Sequence, residues 1–307
     1  MAFKLPEFSS CIDASGMLVS AIRQIKFSNC TSGNTVFSVS RNKALCQWNV
    51  ESGKRMRCIK QAHPHGSPYA LAVVSEHQVV TGDESGYVHV WDFRNHAQRP
   101  IIEFHDTDEY VTDLVADQSE RYVLATNGDA ILTAYNIKAK RMELQSEPMH
   151  SELNCLTLVD KAQKLICGGT DGNFELFNIG EWGNITDRHK STHSEGVEAL
   201  VTIPNTQLVA SGSSDGKVLL HHICPNQVIG TIGCVENDSS VGILGLAVSE
   251  CGHWLFSIGI DEYLRWWNCK TIAEGVPVTN SGRELKRWRK LKRKAVDESE
   301  SGFFDGL

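Results

Sequence analysis

The chain contains no apolar run approaching the roughly 18 residues of a membrane-crossing helix. Its first residues, MAFKLPEFSSCIDASG, lack the apolar centre of a secretory signal. None of its ten cysteines forms a C-x-x-C pair, which argues against a zinc knuckle. There is no P-loop, no G-x-G-x-x-G and no H-E-x-x-H. The residues therefore point to no enzyme, no cofactor and no metal. The one superficial match to a catalytic motif is G-x-S-x-G at Gly212-Ser213-Ser214-Asp215-Gly216. A nucleophile elbow needs a strand-to-helix turn under its serine, and this stretch reads as a turn between strands. Without a secretory signal, the thiols read as reduced, in a cytosolic or nuclear protein. Cys46, Cys155 and Cys167 fall inside expected strands, where cysteine serves as a small buried apolar residue.

Charge is unevenly spread. Gly282–Leu307 holds eight Lys/Arg against five Asp/Glu, which leaves 22 basic and 32 acidic residues of the chain's 30 and 37 for the rest. An acidic body argues against non-specific nucleic-acid binding by that body.

What the chain does have is a repeat. The stretch VVTGDESGYVHVWDFR, Val79 to Arg94, reads as two strands around a turn of acidic, small and Gly residues. A lone hairpin would be marginal in water. The same pattern recurs, ending at Trp48-Asn49, Trp91-Asp92, Tyr135-Asn136, Phe177-Asn178, His221-His222 and Trp267-Asn268. The intervals are 43, 44, 42, 44 and 46 residues. Six positions upstream of each stands a turn residue: Asn42, Ser85, Asp129, Asp171, Asp215 and Asp261. A period of roughly 40–45 residues marks a four-stranded propeller blade. On these residues, from about Ile22 to Val278, the chain resembles the WD-repeat family. An all-β propeller of six recognisable repeats follows, either a six-bladed ring or a seven-bladed one whose first blade is missing. Of the two, the missing blade is favoured, because residues 1–20 resemble no repeat. The expected organisation is an N-terminal segment over 1–20, a blade remnant at most, a propeller over 21–279 and a basic tail over 280–307. Residues 271–278 are the expected outer strand of the sixth blade.

Histidines open several repeats: His63, His105, His150 and His193. The resemblance implies that such a histidine bonds an Asp in the strand turn, and onward a strand hydroxyl and a Trp. The candidate pairs are His193 with Asp215 and His150 with Asp171. Belonging to different blades, these histidines are poorly placed to converge on a metal or a substrate. His221-His222 departs from the aromatic-polar pattern; adjacent strand residues face opposite ways, so the pair is a poor chelate and reads as a tolerated variant.

The tail differs in kind. Ser281-Gly-Arg-Glu284 matches a capping box ahead of a basic helix with a thin apolar stripe at Leu285, Trp288, Leu291 and Ala295. Arg283, Lys286, Arg287, Arg289, Lys290, Lys292, Arg293 and Lys294 read as a nuclear localisation signal. They could also contact RNA phosphates, with Trp288 available to stack on a base. A membrane surface or calmodulin would need a wider apolar face. Phe303, Phe304 and Leu307 form a terminal short motif for a partner, or pack back onto the propeller. Trp91-Asp92-Phe93-Arg94 makes W-D-x-R, which in this family implies docking to the adaptor of a cullin-type ubiquitin ligase, with Arg94 offering its fork of donors.

The segments LQSEPMHSELNCLTLV (Leu144 to Val159), GGTDGNFELFNI, ICPNQVIGTIG (Ile223 to Gly233) and the terminal FFDGL resemble one branch of the family. That resemblance implies a non-enzymatic scaffold of the nucleolus, with nucleus and cytoplasm as its wider range. It would act in ribosomal RNA processing and large-subunit biogenesis, with assembly factors on its rims. The alternative is a substrate receptor of a cullin-type ligase.

Overall fold

The β-branched and aromatic runs of each repeat form strands, and each repeat folds into one antiparallel sheet of four. In the computed structural model, residues 2–4, 20–28, 35–95, 98–234, 242–249 and 252–269 are described. They build six such sheets, the blades of a propeller. Blade one comprises Ile22–Phe27, Thr35–Ser40, Ala44–Asn49 and Arg55–Ile59. Blade two comprises Pro68–Val73, Gln78–Asp83, Tyr87–Asp92 and Ile102–His105. Blades three, four and five begin at Val111–Ala116, Leu153–Val159 and Val197–Thr202 and repeat the order. Blade six has Ile243–Val248, Trp254–Gly259 and Tyr263–Asn268.

The fourth strand of blade six is Ala2–Lys4, paired antiparallel with Tyr263–Arg265. The start of the chain therefore completes the last sheet. Residues 271–278, expected in that place, lie outside the described residues, as does the tail over 280–307.

The first strand of each blade is the inner one. It packs on the inner strands of its neighbours, from blade one through to blade six. Every inner strand carries a register shift after its first residue: Ile22, Pro68, Val111, Leu153, Val197 and Ile243. This repeated bulge re-aims that residue towards the preceding blade. A blade covered on both faces buries its middle strands, as in Leu208–Ser213 throughout and in Gln78–Asp83 from Val79 on. The hairpin turns need a left-handed residue, supplied by Gly86 (φ +79°), Gly172 (+77°) and Gly216 (+74°). At Gly86 a Cβ would also collide with the Thr107 carbonyl.

Among the described residues, one junction differs from the other five. Among the described residues, no packing comparable to the other five joins the inner strands of blades six and one. Ile25 and Phe27 of blade one are 50% and 63% exposed, whereas their equivalents in blade two, Leu71 and Val73, are 0% and 8%.

Candidate functional site

Two blades carry a buried relay from turn to strand. In blade two, His63 Nδ1 lies 2.9 Å from Asp83 Oδ2 and its Nε2 2.6 Å from Thr81 Oγ1. Trp91 Nε1 donates to the same hydroxyl at 2.9 Å. The roles follow from the partners: Nδ1–H donates to the carboxylate, the Thr81 hydroxyl donates to Nε2, and the indole donates to the hydroxyl oxygen. Burial pushes the Asp83 carboxyl up. His63 and the amides of Ser85 and Tyr87 outweigh that and hold it below the ordinary carboxylate range.

Blade five repeats the relay with different residues. His193 Nδ1 lies 3.2 Å from Asp215 Oδ1, and its Nε2 lies 2.8 Å from Ser211 Oγ. His221 occupies the place of Trp91, with Nε2 2.8 Å from the same Ser211 oxygen. The departure from aromatic at 221 is thus a substitution of one ring N–H donor for another. Its cost is visible: His221 is fully buried and its Nδ1 has no partner. Burial, then the neighbouring His189 and His193, push its basicity well below the usual histidine value. Burial also lowers His193, with Asp215 opposing only in part.

Asp215–His193–Ser211 has the order of an acyl-transfer triad. Ser211, however, is fully buried and shared between two imidazoles, so no acyl group can reach it. In the G-x-S-x-G turn, Ser213 donates to the Glu195 carbonyl and Ser214 to Glu198. These serines tie the turn to the loop that enters blade five and to that blade's inner strand. Among the described residues, no cluster of three or more His, Cys, Asp or Glu could hold a metal.

The expected His150–Asp171 pair is not made. Asp171 is engaged by Asn173 at 2.7 Å and Arg188 at 2.6 Å, and His150 is exposed. Conversely, Asp83 escapes the repeat alignment, because its carboxylate stands two residues ahead of the turn position at Ser85. His105 joins no relay; it stacks on Tyr87 at 4.0 Å.

Two exposed surfaces remain, at opposite ends of the strands. At the hairpin-turn end, a polar-aromatic line crosses blades one to four. Arg23 pairs with Glu84 at 3.1 Å and lies 5.3 Å from the Tyr69 ring. Tyr69 meets Tyr110 edge-on at 6.5 Å, and Tyr110 donates to Glu152 at 3.3 Å. At the other end sits W-D-x-R. Trp91 is buried in the relay and Phe93 packs on Phe37 at 4.9 Å, with Arg57 over its ring at 5.2 Å. Arg94 is exposed and grips Asp92 through Nε at 3.0 and 3.1 Å and Nη2 at 2.6 Å. The Arg94 hydrogen bonds hold the Asp92 carboxyl below its ordinary range. The motif therefore presents a guanidinium fixed in one orientation. Arg283 to Lys294, Phe303, Phe304 and Leu307 lie outside the described residues.

The model of the WDR55 family matches residues 7–272. The chain is 34% identical to the orangutan (Pongo abelii) WD repeat-containing protein 55 over 96% of its length and 74% of that protein's. It is 33% identical to the human protein of that name over 83% of this chain and 64% of the other. It is 31% identical to the Dictyostelium discoideum homolog over 83% of this chain and 59% of the other. Among solved structures, a chain in a crystal structure of the mitotic checkpoint complex superposes with a TM-score of 0.71 at 17% identity, over 83% of this chain and 79% of that one. That likeness concerns the fold.

Proposed function

The chain belongs to the WDR55 family of WD-repeat propellers, and from that premise we propose that it is a scaffold of ribosome biogenesis, acting in the nucleolus on ribosomal RNA processing and large-subunit assembly. As a propeller of this family it is a protein-interaction scaffold. The observation that carries the finer reading is the division of charge: an acidic propeller joined to a segment, Gly282 to Leu307, with eight basic residues against five acidic. The propeller offers rims to assembly factors, while the basic segment directs import and contacts pre-ribosomal RNA. The Arg23–Tyr69–Tyr110–Glu152 line supplies aromatic and Arg anchors of the kind that dominate protein interfaces.

Affinity purification of the tagged protein, with RNA and protein identified, tests this reading. Recovery of pre-ribosomal RNA together with large-subunit assembly factors is expected. Deleting Gly282 to Leu307 should abolish nucleolar accumulation while leaving the propeller folded. Unchanged localisation would refute the role given to the segment.

A second reading has its own observation, the preoriented Arg94 beside Asp92. It would serve as a docking contact for a cullin-ligase adaptor. Arg94→Ala should then abolish adaptor pull-down without lowering Tm, since Arg94 is solvent-exposed. Adaptor recovery unchanged by that substitution would dismiss it.

A further inference from the structure

One row of residues bonds the third strand of a blade to its outer strand. It lies two residues ahead of the ring at positions 48, 91, 135, 177, 221 and 267. The partners across it are Cys46 with Cys58, His89 with Glu103, Thr133 with Gln145 and Glu175 with Arg188. Residues directly opposite on antiparallel strands aim their side chains from the same face. In blades two, three and four the two side chains meet. His89 Nε2 lies 3.3 Å from Glu103 Oε2, and Arg188 Nε lies 3.0 Å from Glu175 Oε1. Gln145 Nε2 donates to Thr133 Oγ1 at 3.5 Å.

Blade one fills the same row with two thiols. Cys46 is buried and Cys58 half-buried, and neither is in a disulfide. Their side chains hydrogen-bond to each other. Direct partners on antiparallel strands stand roughly 4.5–5.5 Å apart at Cα, inside the roughly 4.4–6.8 Å that a disulfide spans. The two strand cysteines of blade four lack such a match. Cys155 stands opposite Gly168, and Cys167 opposite Leu156 and Glu175.

We propose that Cys46 and Cys58 form a redox-modification site, whose co-substrate is a small disulfide of the glutathione class. Cys58 is the more accessible and attacks first. Its thiolate bonds one sulfur of glutathione disulfide, whose S–S bond breaks, and one glutathione thiolate leaves with the electron pair. Cys46 then gives up its proton, and its sulfur displaces the second glutathione from Cys58. Two protein thiols become one disulfide, and glutathione disulfide becomes two glutathione thiols that carry both protons. Two electrons pass from the protein to glutathione. Burial, then the contact with Cys58, push the Cys46 thiol up to about 12. That suits it to the second, slower step. The bond fastens the outer strand Arg55–Ile59 to the third strand. Arg57 of that outer strand donates to the carbonyls of Phe93 and Asn95, so the bond also steadies the grip of blade one on the loop after Asp92.

The full chain is equilibrated in mixtures of reduced and oxidised glutathione, quenched with acid, and alkylated. It is then digested with trypsin without reductant and read by mass spectrometry. The peptide Ala44–Lys54 should appear linked to Cys58–Lys60, and dithiothreitol should release it. At a matched glutathione ratio, the folded chain should favour this link at least tenfold over the chain in urea. In Cys46→Ser, Cys58 should accumulate as its mixed disulfide with glutathione; in Cys58→Ser, Cys46 should stay a thiol. No link at ratios that modify the exposed Cys224 overturns the proposal. So does a link no more favoured in the folded chain than in urea. Both of these comparisons use the natural sequence, so they hold even where a serine variant fails to fold.

Discussion

Gly82 and Val111 offer the cleanest measurement of how tightly the blades are fitted. Gly82 lies on the second strand of blade two, and Val111, 1% exposed, opens the inner strand of blade three. A Cβ at position 82 would stand 2.5 Å from Val111 Cγ1 and 2.7 Å from its Cβ. Both obstacles are part of a β-branched side chain held by its own strand, so little can yield. Gly82→Ala should therefore destabilise by about 1–3 kcal/mol, the usual range for overpacking. Val111→Ala removes two buried methyls, about 0.8 kcal/mol each, plus a cavity term, for a total of about 2–3 kcal/mol. In the double variant the contacts with the two Cγ atoms are gone, and only the Cβ at position 111, 2.7 Å from the new methyl, must still give way. Its loss should fall short of the sum by about 1–2 kcal/mol. Urea unfolding of the four proteins supplies the cycle, with unchanged m-values as the check that each unfolds from the same native state. Additivity within about 0.5 kcal/mol would show that the two positions do not compete for one space.

Two further outcomes follow from the relays. Trp91→Phe keeps the buried ring but deletes the donor to Thr81, and should cost about 1 kcal/mol by the same urea assay; an unchanged midpoint would deny the relay any share in stability. His189, His193 and His221 are all held below the ordinary histidine value, chiefly by burial. The unfolded chain then binds protons first, so stability should fall as pH drops below about 6.5. Asp83 and Asp215 are held low, and their contribution is lost in a second window as pH falls below about 4. His221→Phe should reduce the slope in the first window, where the remaining histidines still act, and leave the second; an unaltered slope between pH 6.5 and 5 would reject the assignment.

The architecture was legible because it repeats. No single match carried it: Trp91-Asp92 is the chain's one full Trp-Asp, and His221-His222 matches the pattern poorly. Periodicity over six units averages out such lapses, since each unit must place an aromatic or donor ring at the same strand position. The relays were half legible. His193 and Asp215 could be paired because both occupy their consensus places. His63 was visible but its partner was not, since a carboxylate at the strand end, Asp83, reaches the ring as well as one in the turn, Asp215. His150 and Asp171 failed for the opposite reason. The residues are in place, but Arg188 from the outer strand of the same blade takes the carboxylate at 2.6 Å, and no local pattern foretells a competitor so far along the chain. The pairing of Ala2–Lys4 with Tyr263–Arg265 was illegible for a similar reason: a three-residue strand has no period, and its partner stands at the other end of the repeat array.

Closure of the last sheet by the first strand and the differing junction beside it are two separate matters. The first concerns hydrogen bonds along the outer edge of blade six, satisfied by Ala2–Lys4. The second concerns packing of sheet faces near the axis, where Ile22, Ile25, Phe27 and Ile258 remain exposed. In a repeat array each unit is stabilised by its nearest neighbours. Among the described residues, blades two to five pack on two neighbouring blades each, whereas blades one and six pack on one. The relays with complete donor chains lie in blades two and five, inside the array and next to its terminal units. Their buried bonds stiffen the faces on which blades one and six must stand.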